Sequence, residues 1–297
     1  MANPSPTLVA DRDRIAAARG SRSVLQRRIG VWALFVIMAL IAFSTIYPVF
    51  FAVNSALKTQ GDWIEARFTL SFPPSFDQLH EAWRRSSVPR TFANSVIVTF
   101  GGIVGAWAVC SPAAYAATKM RFPGRNILFI LLLASMMIPM QTILYPFFVQ
   151  MRDLQLVNTY RGLVLAYVAF AVPITTYQMA AYFRSIPNEV IDAAKLDGAS
   201  SLQTLTSIVL PMARPVLATT GIINCVWMWN DLLLPLMVMQ LPERQTLIVS
   251  LSLLRGQYGA DPTLIAAGVA IGIAPIVVIY LVAQEYLIKG MTQGAVK

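Results

Sequence analysis

The sequence predicts an all-α integral membrane protein: six transmembrane helices, with a polar helix-turn-helix loop between helices 4 and 5. Three observations lead there. The 297-residue chain is 57% hydrophobic and only 12% charged, against about 25% charged in soluble domains, and its mean hydropathy is +0.62. Six nearly uncharged runs reach the roughly 20 residues that a span requires. Between the fourth and fifth runs, Pro187 to Pro215 reads P-N-E-V-I-D-A-A-K-L-D-G-A-S-S-L-Q-T-L-T-S-I-V-L-P-M-A-R-P, a polar island with a glycine break.

Residues 1–30 form an arginine-rich arm, and 31–297 the transmembrane domain. The first run, Val31–Val53, is too long for the apolar part of a secretory signal. Bulky Ile46-Tyr47-Pro48-Val49-Phe50-Phe51 replaces a small-residue cleavage site, so a retained helix is expected. The other runs are Asn94–Thr118, Ile127–Gln150, Gly162–Phe183, Val216–Met239 and Leu264–Leu287.

Orientation follows from the basic residues. With the N-terminus in the cytoplasm, fourteen Lys and Arg fall inside and nine outside, and six of the fourteen lie in the arm beside the first span. Both termini are then cytoplasmic, as are Lys119–Arg125 and the loop 185–215. The segment 54–90, with Trp63, Phe72-Pro73-Pro74 and Trp83, lies outside, as do Met151–Arg161 and Gln240–Pro262. The net charge of +9 thus reports orientation in a lipid bilayer, and no nucleic-acid partner is expected.

Cys110 and Cys225 lie in apolar runs and read as small packing residues, and the lone His80 reads as a surface residue. Prolines 112, 139, 146, 173, 235 and 275 interrupt spans, either as bends along a translocation path or because proline is common in membrane helices. Asp231 follows Trp229 and Asn230 in the fifth run. An aspartate at mid-span costs about 2.5 to 3.5 kcal/mol, so it faces protein or water, on a solute path, in a helix contact or at the outer surface. Glu285 sits near the inner end of the sixth run.

Within the island, Pro187 suits the first turn of a helix and Glu189 its positive end, with Val190, Ile191, Ala193, Ala194 and Leu196 supplying a small apolar face. Asp197-Gly198 ends that helix. Ser200 with Gln203 fits a capping box opening a second, in which Leu202, Leu205 and Val209 recur on one face until Leu210-Pro211. The small apolar residues are expected to be exposed. The first helix lacks the Lys/Arg-rich face of a lipid-surface helix, which leaves packing on its own protein or docking into a partner.

The Asp192-Ala193-Ala194-Lys195-Leu196-Asp197-Gly198-Ala199 stretch, followed by Ile208-Val209-Leu210-Pro211, resembles the E-A-A-x-x-x-G-x(9)-I-x-L-P signature of ATP-binding-cassette importer permeases. The loop Arg121-Phe122-Pro123-Gly124-Arg125, the Ser185-Ile186-Pro187 entry, Trp229-Asn230 before Pro235 and the ending Lys289–Lys297 extend the likeness over nearly the whole chain. Together they are similar to the binding-protein-dependent sugar-uptake permeases, the class of the smaller maltose permease subunit.

The resemblance implies that the island is a pair of coupling helices gripped by an ATPase subunit, with Glu189, Asp192, Ala193, Ala194, Leu196, Asp197, Gly198, Ala199, Leu210 and Pro211 at the interface. Asp192 stands where the family usually has glutamate, which leaves its ion pair to the ATPase open. The expected partners are a second permease chain, an ATPase dimer and an extracytoplasmic solute-binding protein, in a bacterial cytoplasmic membrane. ATP and magnesium belong to the ATPase, since the chain has no G-x-x-x-x-G-K-[ST] loop; no cofactor is expected on this chain. It is not expected to be an enzyme, because a single histidine supports no hydrolytic constellation. Trp229, Asn230 and Asp231 are the substrate-path candidates, with a sugar, or alternatively a glycerol-phosphate-type ester, as the solute. An ion-coupled secondary transporter is the rival class, disfavoured by the shortage of buried acids and by the lack of an evident repeat.

Overall fold

The computed structural model describes the backbone of residues 6–257 and 261–293, and side chains over 30–256, 261–281 and 284. The side chains of the arm 1–29, Glu285 and the ending Lys289–Lys297 lie outside the described residues. Every element is helical among those described: α1 Pro6–Ala56, α2 Gln60–Glu65, α3 Asp77–Arg85, α4 Val88–Lys119, α5 Arg125–Ala134, α6 Met140–Asp153, α7 Tyr160–Ser185, α8 Asn188–Leu196, α9 Ser201–Thr204, α10 Leu210–Met212, α11 Arg214–Asn230, α12 Leu233–Val238, α13 Leu247–Gln257 and α14 Pro262–Gln293. A 3₁₀ turn, Ser135–Met137, follows α5, and a π turn, Leu205–Val209, joins α9 to α10. The chain divides into two compact units, Met1–Asn54 and Ser55–Lys297.

Four of the six apolar runs lie on single helices long enough to cross a membrane: Gly30–Ala56, Val88–Lys119, Tyr160–Ser185 and Pro262–Leu281. The third run is not one straight helix. It breaks at Ile138-Pro139, where Pro139 becomes the N-cap of α6 and the chain bends by 102°. By contrast, Pro112, Pro146, Pro173 and Pro275 stand inside continuous helices. The fifth run also breaks, at Asp231-Leu232 between α11 and α12. The 17 residues of α11 rise about 25 Å, short of a hydrocarbon core of roughly 30 Å.

The core of the second unit is built on α4 and α7, with α11 packed against both. Close approach comes from glycines on α4. A Cβ at Gly105 would stand 2.6 Å from Val168 Cγ2, and one at Gly102 would stand 2.7 Å from Met228 Sδ. Small residues at such contacts let membrane helices gain dispersion energy without a hydrophobic driving force. Polar bonds then fix the register. Asn224 Nδ2 donates to Thr175 Oγ1 at 3.0 Å, and Trp107 Nε1 to Thr220 Oγ1 at 3.2 Å. Cys110 is buried in this core and Cys225 is half-buried against it.

Gln240–Pro262, expected as an external loop, holds a helix. This is α13, whose Leu247, Leu251 and Leu254 are buried with Ala82 of α3 and Leu264 and Ala267 of α14. Asn94 on α4 anchors the approach to α13, donating to the carbonyls of Glu243 (3.0 Å) and Gln245 (2.8 Å) while accepting from Tyr160 Oη at 2.7 Å. Asn158, in the turn before α7, accepts from the amides of Gln240 (2.6 Å) and Leu241 (2.9 Å). The segments 151–161 and 240–262 therefore meet, as two loops on one side of a membrane can.

Candidate functional site

Two places bring the sequence-derived candidates together: the 185–215 loop and the α11–α12 break. The loop is held at its entry by Lys119, the last residue of α4. Its Nζ donates to the Ile186 carbonyl at 2.6 Å and to Asn188 Oδ1 at 2.9 Å. Ile186 and Pro187 are extended, and α8 starts at Asn188. The sequence marks Lys119 only as a basic residue at the start of the Lys119–Arg125 loop and carries no signal for this role.

The end of α8 is a Schellman motif. The Gly198 amide donates to the Lys195 carbonyl at 3.0 Å and the Ala199 amide to the Ala194 carbonyl at 2.9 Å, with Gly198 at φ +79°. A Cβ at Gly198 would meet nothing within 4 Å, so the need for glycine is one of backbone conformation and not of space. The next helix opens on the expected capping box. Ser200 Oγ accepts from the Gln203 amide at 3.3 Å, and the Ser200 amide donates to Gln203 Oε1 at 2.8 Å. Tyr182 Oη on α7 closes the loop by donating to the Met212 carbonyl at 3.0 Å.

The faces of the loop are sorted sharply. Ile191, Leu205, Val209 and Ala213 join the main core. Glu189, Asp192, Ala193, Asp197, Gly198 and Pro211 are exposed, Ala199 and Leu210 are half-buried, and Leu196 is 89% exposed. Two expectations are corrected. Ile191 and Ala194, at 2% and 5% exposure, are buried and pack within this chain instead of facing outward, because they share one inward stripe of α8. Leu202 is 68% exposed, apart from Leu205 and Val209, because the π turn that starts at Leu205 breaks the helical spacing linking the three. Asp192 Oδ1 pairs with Lys195 Nζ of its own helix at 3.0 Å.

At the second place, α11 ends at Asn230 and leaves its last carbonyls without helical donors. Tyr167 Oη on α7 donates to one of these, the Met228 carbonyl, at 3.1 Å, and Asn230 Nδ2 folds back onto the Val226 carbonyl, one turn earlier, at 2.8 Å. Asp231 Oδ1 accepts from the Leu233 amide at 3.1 Å and so opens α12, while Asp231 Oδ2 is buried with no partner among the described residues. Trp229 packs into the cluster formed with α13 and α14. It is 4% exposed and meets Phe92 edge-on at 5.4 Å. Asn230 does line a cavity of about 410 Å³, with Ser252 and Arg255 of α13 and Gly268 of α14. Among the described residues no group of three or more His, Cys, Asp or Glu could hold a metal.

Residues 111–293, which include both places, match the family described as binding-protein-dependent transport system inner membrane component. The chain belongs to this family. It is therefore one of the transport permeases, and a multi-pass membrane protein. Over 251 residues it is 30% identical to the diacetylchitobiose uptake system permease protein of Streptomyces coelicolor, covering 84% of this chain and 83% of that one. Over 260 residues it is 32% identical to the melibiose/raffinose/stachyose import permease protein of Bacillus subtilis, covering 87% of this permease and 94% of the other. Among solved structures, a bacterial ABC transporter involved in import of the acidic polysaccharide alginate shares the fold, with a TM-score of 0.74 and 23% identity over 96% of this permease and 99% of that chain.

Proposed function

We propose that this permease is the membrane-spanning subunit of an ATP-driven carbohydrate importer, moving its solute by alternating access under the control of a separate ATPase. The observation that carries the reading is the 185–215 loop: a rigidly capped α8 with Leu196 almost wholly exposed at its tip, on a base anchored to α4, α7 and the core. An exposed leucine beside a glycine turn fits insertion into a cleft on another protein, and the buried underside supplies the stiffness needed to pass motion to α7 and α11. The sugar-uptake relatives support a carbohydrate as the solute. A glycerol-phosphate-type ester is the alternative within the family.

In this reading the loop faces the cytoplasm, both termini are cytoplasmic, and the membrane is the bacterial inner membrane. The ATPase dimer holds ATP and magnesium, a second permease chain completes the path, and an extracytoplasmic solute-binding protein delivers the solute to 54–90 and 240–262. Asp192 contributes to docking by exchange. Its pair with Lys195 has both side chains more than half exposed, and such surface pairs are worth at most about 1 kcal/mol, so a basic residue on the ATPase can take it over. Asn230 and Asp231 lie on the solute path.

Copurification of the tagged permease from its native host tests the reading. An ATPase and a second permease should come with it, and reconstituted uptake should need ATP. Uptake driven by a proton or sodium gradient through this chain alone would overturn it.

A further inference from the structure

A cavity of about 700 Å³ lies between the end of α4 and the coupling loop, and its charged lining is Lys119, Arg121, Arg125, Lys195 and Asp192. Asp192 neutralises Lys195. The other three cations have no carboxylate partner among the described residues. Lys119 is bonded to Ile186 O and Asn188 Oδ1, and Arg125 to Met120 O at 3.1 Å and Asn126 Oδ1 at 3.4 Å. Glu189, the other acid of α8, acts on Lys119 only through space.

The bond from Arg125 back to Met120, with Gly124 at φ +81°, closes the loop so that both arginines are presented together. Arg121 and Arg125 also line a second cavity of about 460 Å³ with Phe122, Gly124, Asn126 and Ile127. That cavity leads onto α5, where Ile127, Leu128, Ile130 and Leu131 are each about 60% exposed. The two arginines thus stand where a polar, cation-lined hollow meets an apolar helix surface.

We propose that Arg121, Arg125 and Lys119 form a binding site for a phosphate-bearing anion. Guanidinium groups suit phosphate because their donors match two of its oxygens at once. An anionic phospholipid meets both halves of the site, its phosphate over the arginines and its chains along α5; free phosphate shares only the first half. Because the cavity touches α8 at Asp192 and Lys195, an anion there sits against the helix that the ATPase grips. The proposal rests on the loop orientation of the preceding section only in placing the lipid in the cytoplasmic leaflet.

The test is native mass spectrometry of the full-length permease, alone and with its copurifying partners, after incubation with equal amounts of short-chain phosphatidylglycerol and phosphatidylcholine. The wild type should retain phosphatidylglycerol preferentially, and the Arg121→Gln/Arg125→Gln variant should lose that preference by on the order of tenfold or more. Displacement of phosphatidylglycerol by inorganic phosphate would support the anion site and identify free phosphate as able to fill it. Equal retention of both lipids by the wild type, with no phosphate adduct, would overturn the proposal even if the variant fails to fold. So would retention that disappears when the ATPase is bound, since the cavity would then serve that protein. Failure to recover an ATPase would count against the importer function while leaving the lipid measurement intact.

Discussion

The hydroxyl of Tyr167, on α7, donates to the main-chain carbonyl of Met228, on α11, at 3.1 Å, in the last turn before α11 breaks. That carbonyl would otherwise have bonded the amide four residues on, at Leu232, where the helix has already ended. A side chain from a neighbouring helix thus performs the work of the missing turn, and the break is held as a feature of the packed core. Tyr167→Phe should cost about 1 kcal/mol while leaving membrane insertion unchanged. Thermal unfolding of the purified protein measures it, and an unchanged midpoint would show that water takes over the carbonyl.

The α4–α7 contact should be intolerant of bulk at Gly105. Its added Cβ would meet Val168 Cγ2 at 2.6 Å, a β-branched side chain with little freedom to move. Gly105→Val should destabilise by roughly 1–3 kcal/mol. Val168→Ala in the same chain should restore part of the loss, and a double-mutant cycle on unfolding measures the coupling. Strict additivity would place the clash elsewhere.

At the coupling loop, backbone conformation and bulk can be separated. Gly198→Asn keeps access to positive φ and should retain uptake, whereas Gly198→Val cannot adopt that conformation without strain. The valine variant should insert and assemble, yet hydrolyse ATP without a matching rate of uptake. Parallel ATPase and transport assays in proteoliposomes measure the ratio. Normal coupling in the valine variant would count heavily against the role given to this turn.

On α3, hydrogen bonds from Arg84 and Arg85 hold the Glu81 carboxyl down to a pKa of about 2 from its ordinary 4.5. The stabilising contribution is therefore complete above about pH 4.5, declines as the pH falls, and is gone below about 2. A carbon-13 label at Glu81 should titrate near pH 2 in the folded protein. Amide exchange in α3 should quicken as the pH drops from 4.5, beyond its intrinsic pH dependence, and Glu81→Gln should abolish that extra change. A midpoint near 4.5 in the folded protein would dissolve the three-residue cluster.

What could be read in advance was what depended on local chemistry. The runs on α1, α4, α7 and α14 are long enough to announce themselves, and Asp197-Gly198 and Ser200 with Gln203 carry their caps in their residue types. α13 escaped because its buried Leu247, Leu251 and Leu254 belong to an 11-residue helix, half the length of a span. The break after Asn230 was hidden in the apolar sequence Leu232-Leu233-Leu234, and what holds it, Tyr167, is distant in the chain. Likewise Ala194 and Leu202 have side chains that suit either face; only the packing of α8 and the π turn determine which one each takes.

The π turn at Leu205–Val209 is equivalent to one residue inserted into an otherwise regular α-helix. Removing a single residue there would let the segment relax to ordinary winding while the helix on either side keeps nearly its present phase, because a π turn is the form that absorbs one extra residue. Leu202 would then come back toward the stripe of Leu205 and Val209, while the tip at Leu196 and α11 kept their directions. The π turn is thus a slack in the length of this short stretch: one residue can be lost there without redirecting the loop or altering Leu196 and Gly198 at its tip.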